Sequence, residues 1–297
     1  MGSTLTSIAL PVALGIIMFG LGLSLTLGDF ARVAKQPRAV VIALLCQLVV
    51  LPAICFGLVL AFQLPPVLAV GMMMLAASPG GTTANLYSHL FRGDIALNIS
   101  LTALNSVIAV ITLPIITNLA IAYFQPFDGS LGLQWAKALE VFAIVLLPVV
   151  AGMIVRRLAP RFADAMDKPV RIVSIIVLIV VIAGAVASNW DLLIANVAQL
   201  AAIVTVFCLL SLAIGYLVPR WLRVGKRQAI ATSFEIGIHN ATLAIVIAQS
   251  VLGSLELSLP AAVYGVLMFF LAFGFGFLIR DRSAAVVARE PEAVASS

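Results

Sequence analysis

Apolar runs of about twenty residues, cut by short polar loops, recur along the whole of this 297-residue chain. Wound as a helix at about 1.5 Å per residue, a run of that length matches the ~30 Å hydrocarbon core of a bilayer. Segmented in this way, the pattern predicts nine spans: 5–26, 39–62, 67–89, 95–124, 137–155, 172–190, 199–219, 228–250 and 260–279. In lipid every backbone amide and carbonyl must find its partner inside the structure, so the spans read as helices and the fold class as an all-α polytopic membrane protein. A single transmembrane domain is expected over 1–282. The remaining tail, 283–297, is too short and too polar to pack and is read as a disordered cytoplasmic extension.

Two of the nine spans break their own pattern. The third, VLAVGMMMLAASPGGTTANLYSHLF, carries Pro79, Gly80 and Gly81 in succession at its centre. A helix-interior proline costs about 3 kcal/mol and each glycine about 1 kcal/mol, so the helix is expected to stop there and restart. Thr82, Thr83 and Asn85 then sit at the start of a second half-helix, whose free N–H groups and positive dipole end suit an anion. The eighth span, SFEIGIHNATLAIVIAQ, groups Glu235, Gly237, His239 and Asn240 near its middle. A carboxylate at that depth costs on the order of 2.5–3.5 kcal/mol to insert, so Glu235 should face a cavity, an ion or a partner. Interrupted helices at corresponding places in the two halves, running in opposite directions, point to a secondary transporter built on an inverted repeat, with substrate and ions meeting where the breaks cross.

Composition and charge narrow this further. The chain is 63% hydrophobic and 10% charged, with a mean hydropathy of +1.20, against a charged fraction of about 25% in soluble domains. All but Lys137 of the 17 lysines and arginines fall in the loops after the first, third, fifth, seventh and ninth spans or in the tail, while Asp128, Asp191 and Glu256 fall in the opposite loops. The positive-inside rule then puts the N-terminus outside and the C-terminus in the cytoplasm. The net charge of +5 therefore reports topology and argues against a nucleic-acid partner. Cys46, Cys55 and Cys208 lie inside spans and read as packing residues. MGSTLT matches a myristoylation pattern but falls on the outer side, and no basic residue precedes the first span as a cleaved signal requires.

Further polar residues are candidates for cation oxygens. Asn98 and Thr102 share a helix face in the fourth span, with Asn105 three residues on, and Gln47 interrupts the second span. Each also has an ordinary reading as an interhelical hydrogen-bonding residue. His239 is either a neutral imidazole packed in the bundle or a group lining a cation or proton site; His89, at the end of the third span, reads as interfacial. SPGGTT lacks the lysine and strand context of a phosphate loop, so ATP is not expected and coupling must come from an ion gradient or exchange. No metal-ligand set or nucleophile lies near Glu235 and His239, which argues against an intramembrane hydrolase.

These residues resemble the bile acid:sodium symporter family. The likeness runs through LGIIMFGLGLSLTLGDF, RAVVIALLCQLVVLPAICF, ASPGGTTANLYSHLFRGDIALNISLTAL and FEIGIHNATLA, and so covers nearly the whole chain. It implies a bacterial inner-membrane, nine-helix form with a core near 39–124 and 199–279 and a panel near 5–26 and 137–190. It also implies a first sodium site at Asn85, Asn98, Thr102 and Glu235, with Ala84 where a serine hydroxyl is typical. A second site would fall on Gln47, Glu235, the carbonyls of Ile236 and Ile238, and His239, where glutamine is typical. An imidazole nitrogen is a poor ligand for a hard cation, so one sodium ion is expected and the second depends on His239. His239 either packs beside a sodium held by oxygens or substitutes for it in its charged form. Thr82, Thr83 and Asn240 are the expected contacts of an organic anion, from bile acids to small carboxylates such as pantoate. The function expected is sodium-coupled symport by alternating access. The alternatives are a proton-coupled or exchanging carrier of small organic acids, and a non-transporting membrane receptor, for which the loops and tail offer no signalling domain.

Overall fold

A computed structural model describes residues 2–125, 135–188 and 190–281. Asp128, Arg282, Arg289 and the tail lie outside the described residues, as does the side chain of Lys137. Thirteen α-helices and no strand occur among the described residues: α1 Gly2–Ser24, α2 Leu27–Val33, α3 Pro37–Leu45, α4 Leu51–Ala61, α5 Pro66–Ala77, α6 Thr83–Leu90, α7 Ile95–Phe124, α8 Trp135–Leu158, α9 Pro160–Ser188, α10 Trp190–Trp221, α11 Lys226–Gly237, α12 Ala241–Val246 and α13 Leu259–Ile279. Four helical stretches among them are long and apolar enough to cross a membrane unaided: Pro37–Ala61, Ile95–Phe124, Leu193–Trp221 and Glu256–Ile279. The chain is a multi-pass membrane protein.

The apolar runs give helices, and the exceptions have local causes. Between α3 and α4 the helix widens into a π-turn over Cys46–Val50, which takes in Gln47, and a second π-turn, Ile247–Val251, follows α12. Such turns are inserted residues that reorient the side chains around them, and they concentrate at functional sites. The short α2 has no counterpart in the predicted spans. It starts at a local cap in which both the amide and the hydroxyl of Thr26 donate to the Asp29 carboxylate at 2.7 Å, and it packs on α7.

Both expected interruptions are present. α5 ends at Ala77 because Ser78, before Pro79, is extended at φ −70° and ψ 146°, the conformation a following proline imposes. α11 ends at Gly237, and Ile238 and Asn240 leave the helical region before α12 begins. At about 1.5 Å per residue, neither the twelve residues of α5 nor the twelve of α11 cross ~30 Å alone. α6 packs against α11 and α5 against α12, so each broken span places one half beside a half of the other. Elsewhere α1 packs on α8 and α9, α10 on α11 and α13, and α7 on α5.

Candidate functional site at the two breaks

The breaks satisfy each other's backbone. The Asn240 amide donates to the Pro79 carbonyl at 2.8 Å and the Gly81 amide to the Ile238 carbonyl at 2.7 Å, while Gly80 and His239 form an isolated antiparallel bridge. This is the pairing that irregular backbone needs inside a membrane protein. It also sets where glycine is required. Neither Gly80, Gly81 nor Gly237 has a positive φ. A Cβ on Gly80 would instead lie 2.5 Å from Cδ of Glu235 and 2.6 Å from its carbonyl oxygen. One on Gly237 would lie 2.5 Å from Cγ of Leu212, whereas one on Gly81 meets nothing nearer than 3.4 Å. Two of the three predicted break glycines are there for close approach, and conformational freedom is not their role.

Glu235 is fully buried on α11. The Thr102 hydroxyl donates to Oε2 at 2.5 Å and the Asn105 amide to Oε1 at 3.1 Å, both from α7. No lysine or arginine is buried among the described residues, so the carboxylate has no internal counter-charge. Thr102 also contacts Asn98 Oδ1 at 3.4 Å. Asn98 turns its amide nitrogen toward α6 and α11, donating to Ser88 Oγ at 2.5 Å, to the Ala231 carbonyl at 3.0 Å and to the Ala84 carbonyl at 3.4 Å. The Oδ1 atoms of Asn85 and Asn105 are buried without a hydrogen-bond partner. Of the predicted first group, then, Asn98, Thr102 and Glu235 are joined directly, and Asn85 offers a free oxygen on α6 beside Ala84. Asn105 emerges as a direct partner of the carboxylate, and its place on the Asn98–Thr102 face was the signal for it. Ser88 was missed, since a lone serine in a span has no distinguishing pattern.

Two side chains of the second predicted group, Gln47 and His239, converge on one carbonyl. Gln47 Nε2 donates to the Ser78 oxygen at 3.0 Å, and His239 Nδ1 lies 3.4 Å from the same atom. Because a carbonyl only accepts, Nδ1 carries the proton, and the far atoms Gln47 Oε1 and His239 Nε2 are both acceptors, buried and unpartnered. The imidazole stacks on Phe207, with centroids 5.6 Å apart and planes 3° from parallel, and lies 5.3 Å from the Tyr264 ring. Tyr264 in turn donates to the Gly237 carbonyl at 2.8 Å. The Ile238 carbonyl already accepts the Gly81 amide, whereas the Asn240 amide, turned to Pro79, leaves the Ile236 carbonyl without that helical donor.

A cavity of about 440 Å³ borders the breaks. Its deep wall includes Gly80, Gly81, Thr82, Thr83, His239 and Asn240. The amides of Thr82 and Thr83 have no backbone acceptor, and Asn240 Oδ1 caps α12 through the Leu243 amide at 3.0 Å, leaving its NH₂ group as a donor. From there the cavity runs to Ser24, His89, Ile95 and Val170, which all lie near the basic loops, and no carboxylate, lysine or arginine is among the described residues that line it. His89 thus stands in the cavity wall, where the interfacial reading had not put it.

The profile described as the Sodium Bile acid symporter family matches residues 11–196. The chain belongs to the sodium bile acid symporter family. It is 27% identical to the uncharacterized sodium-dependent transporter YocS of Bacillus subtilis, over 86% of this chain and 78% of that protein. It is 26% identical to a probable sodium/metabolite cotransporter, BASS2, of rice chloroplasts, over 86% of this chain and 60% of that one. It is also 27% identical to the human ileal sodium/bile acid cotransporter, over 83% and 70% respectively. The chain therefore spans less than two thirds of some of these relatives. Sodium bile acid symporter family members of these names are transporters, which excludes the enzyme readings.

Proposed function

We propose that the protein is a secondary active transporter that couples sodium to the movement of an organic anion by alternating access. The observation that carries this is Glu235: a fully buried carboxylate with no buried lysine or arginine among the described residues, in contact with Asn105, whose amide oxygen is unpartnered, while Asn85 on α6 holds a second unpartnered amide oxygen. A buried acceptor without a partner costs about 1–3 kcal/mol, a cost removed by a cation that takes oxygen ligands. Asn85, Asn98, Thr102, Asn105 and Glu235 would hold that sodium. The group at Gln47 and His239 fits sodium less well, because one of its two unpartnered side-chain atoms is a nitrogen.

The anion would sit at the start of α6, on the Thr82 and Thr83 amides with the Asn240 NH₂ group. With no basic side chain among the described residues of the wall, its charge is balanced by the half-helix dipole and by the bound cation. Substrates of this description run from bile-acid-like molecules to small carboxylates such as pantoate. Sodium links the two events mechanically, since it draws α7 onto α11, and α11 carries the break that shapes the anion site. In this reading nine helices form an inverted repeat in the inner membrane of a bacterium. The helices near 39–124 and 199–279 form a core that moves against a panel of α1, α8 and α9, with the N-terminus outside and the C-terminus in the cytoplasm. The charge of the loops and the packing of α1 on α8 and α9 support it.

The test is thermal stability of the purified protein against sodium, with choline as control and at several pH values. A ligand that binds only the folded state raises stability as RT ln(1 + [L]/Kd). Sodium should stabilise the wild type and leave Glu235→Gln unmoved. Indifference to sodium together with a dependence on pH would make it a proton-coupled or exchanging carrier of organic acids.

A further inference from the structure

The cavity wall has polar contact points at both ends of α6, and the anion site above uses only one. Thr82, Leu86 and His89 recur at helical spacing, form one stripe on α6 and all line the cavity. From Thr82 to His89 is about 10 Å at 1.5 Å per residue. The floor between them is apolar, made by Leu86 with Met18 and Leu21 of α1, Ile99 of α7 and Phe269 of α13. Among the described residues of the wall, His89 and His239 are the two that carry an imidazole, one toward each end. His239 closes the deep end, 1% exposed and with Nε2 unpartnered, beside the start of α6. His89 is exposed in the last turn of α6, at the basic-loop mouth.

We infer that His89 is a second substrate contact, and that the cavity takes elongated organic anions with a second acidic group about 10 Å from the first. This rests on the organic-anion reading of the α6 start. An imidazole N–H donates to a carboxylate, and no acidic side chain among the described residues of the wall competes for it. The methylenes between the two acids lie along the apolar floor, where their removal from water favours binding. A monoacid of the same length leaves His89 unused and gains nothing from its far end beyond apolar contact.

The experiment uses the purified full chain in sodium and follows thermal stability against azelate, a straight-chain diacid of about this span, and nonanoate, the same carbon chain with one acid. Azelate is expected to bind about tenfold more tightly than nonanoate, the worth of one hydrogen bond between a side chain and a carboxylate. In His89→Ala that advantage disappears while nonanoate and sodium shift stability as in the wild type, which also shows that the variant is folded. If azelate binds no more tightly than nonanoate in the wild type, or keeps its advantage in His89→Ala, the role of His89 is overturned and the anion site stands. If neither acid shifts a protein that sodium still stabilises, the organic-anion reading of this cavity fails, and the His89 inference with it.

Discussion

Gly80 and Gly81 are adjacent, and the structure separates them sharply. In Gly80→Ala the new methyl would lie 2.5 Å from Cδ of Glu235 and 2.6 Å from its backbone oxygen. Neither neighbour is the loose end of a side chain, since the carboxylate is held from α7 at 2.5 and 3.1 Å and the carbonyl belongs to α11. Relief must separate the breaks or pull Glu235 off Thr102 and Asn105. Overpacking of this kind costs about 1–3 kcal/mol, and a lost hydrogen bond to the carboxylate about 1.5–3 kcal/mol more. The sum, about 2.5–6 kcal/mol, lowers the melting temperature by roughly 5–12 °C at ~2 °C per kcal/mol in a chain of this size. Gly81→Ala has its nearest contact at 3.4 Å and no positive φ to lose, so its cost should stay below about 1 kcal/mol. The assay is thermal unfolding of both variants with and without sodium. Gly80→Ala should lose both stability and the sodium response, and Gly81→Ala neither. Equal behaviour of the two, or a full sodium response in Gly80→Ala, would refute the argument that close approach of the breaks builds the ion site.

Three further outcomes follow from single contacts. Thr102→Val removes the 2.5 Å hydrogen bond to Glu235 at nearly constant volume and should weaken sodium about tenfold in a stability titration; an unchanged midpoint would remove Thr102 from the site. Gly237→Ala should destabilise by about 1–3 kcal/mol through its clash with Leu212, and Leu212→Ala in the same chain should recover part of that loss, a coupling that a double-mutant cycle measures directly. Tyr264→Phe leaves the Gly237 carbonyl without its 2.8 Å donor and should cost about 1 kcal/mol in unfolding, with no change in sodium affinity.

The bundle was legible because lipid imposes one rule, a run of apolar residues long enough to cross, and the observed helices follow most of the runs to within a few residues, while α9 and α10 begin twelve and nine residues ahead of the spans read at 172–190 and 199–219. The first break was legible for a similar reason: proline after Ser78 leaves the backbone no helical choice. The carboxylate at Glu235 announced itself by depth. What the pattern could not convey were contacts between distant segments with ordinary local sequence. Ser88 resembles any serine in a span until Asn98 reaches it from another helix. His89 was read from its position at a span's end, where an interfacial role is the default, and only the fold shows that the cavity extends that far. The π-turn at Gln47 and the capped helix α2 escaped because a single inserted residue or a seven-residue helix barely alters the apolar periodicity. Gly80 was correctly placed at a break, but its physical reason, the carboxylate lying against it, belongs to a segment far along the chain.

That separation bears on how the protein is made. The amides and carbonyls exposed at Pro79 and Gly81 are paired by Ile238 and Asn240, and the contact between Ser78 and His239 joins residues 161 positions apart. At about 5–20 residues per second, the first break waits roughly 8–30 s after synthesis for its partner. During that interval the third span has part of its backbone unpaired, and incompletely folded chains are open to triage by chaperones and proteases. A chain released before its eighth span should therefore be degraded although every one of its finished helices is apolar enough to insert, and the second half of the protein acts, in effect, as the chaperone of the first.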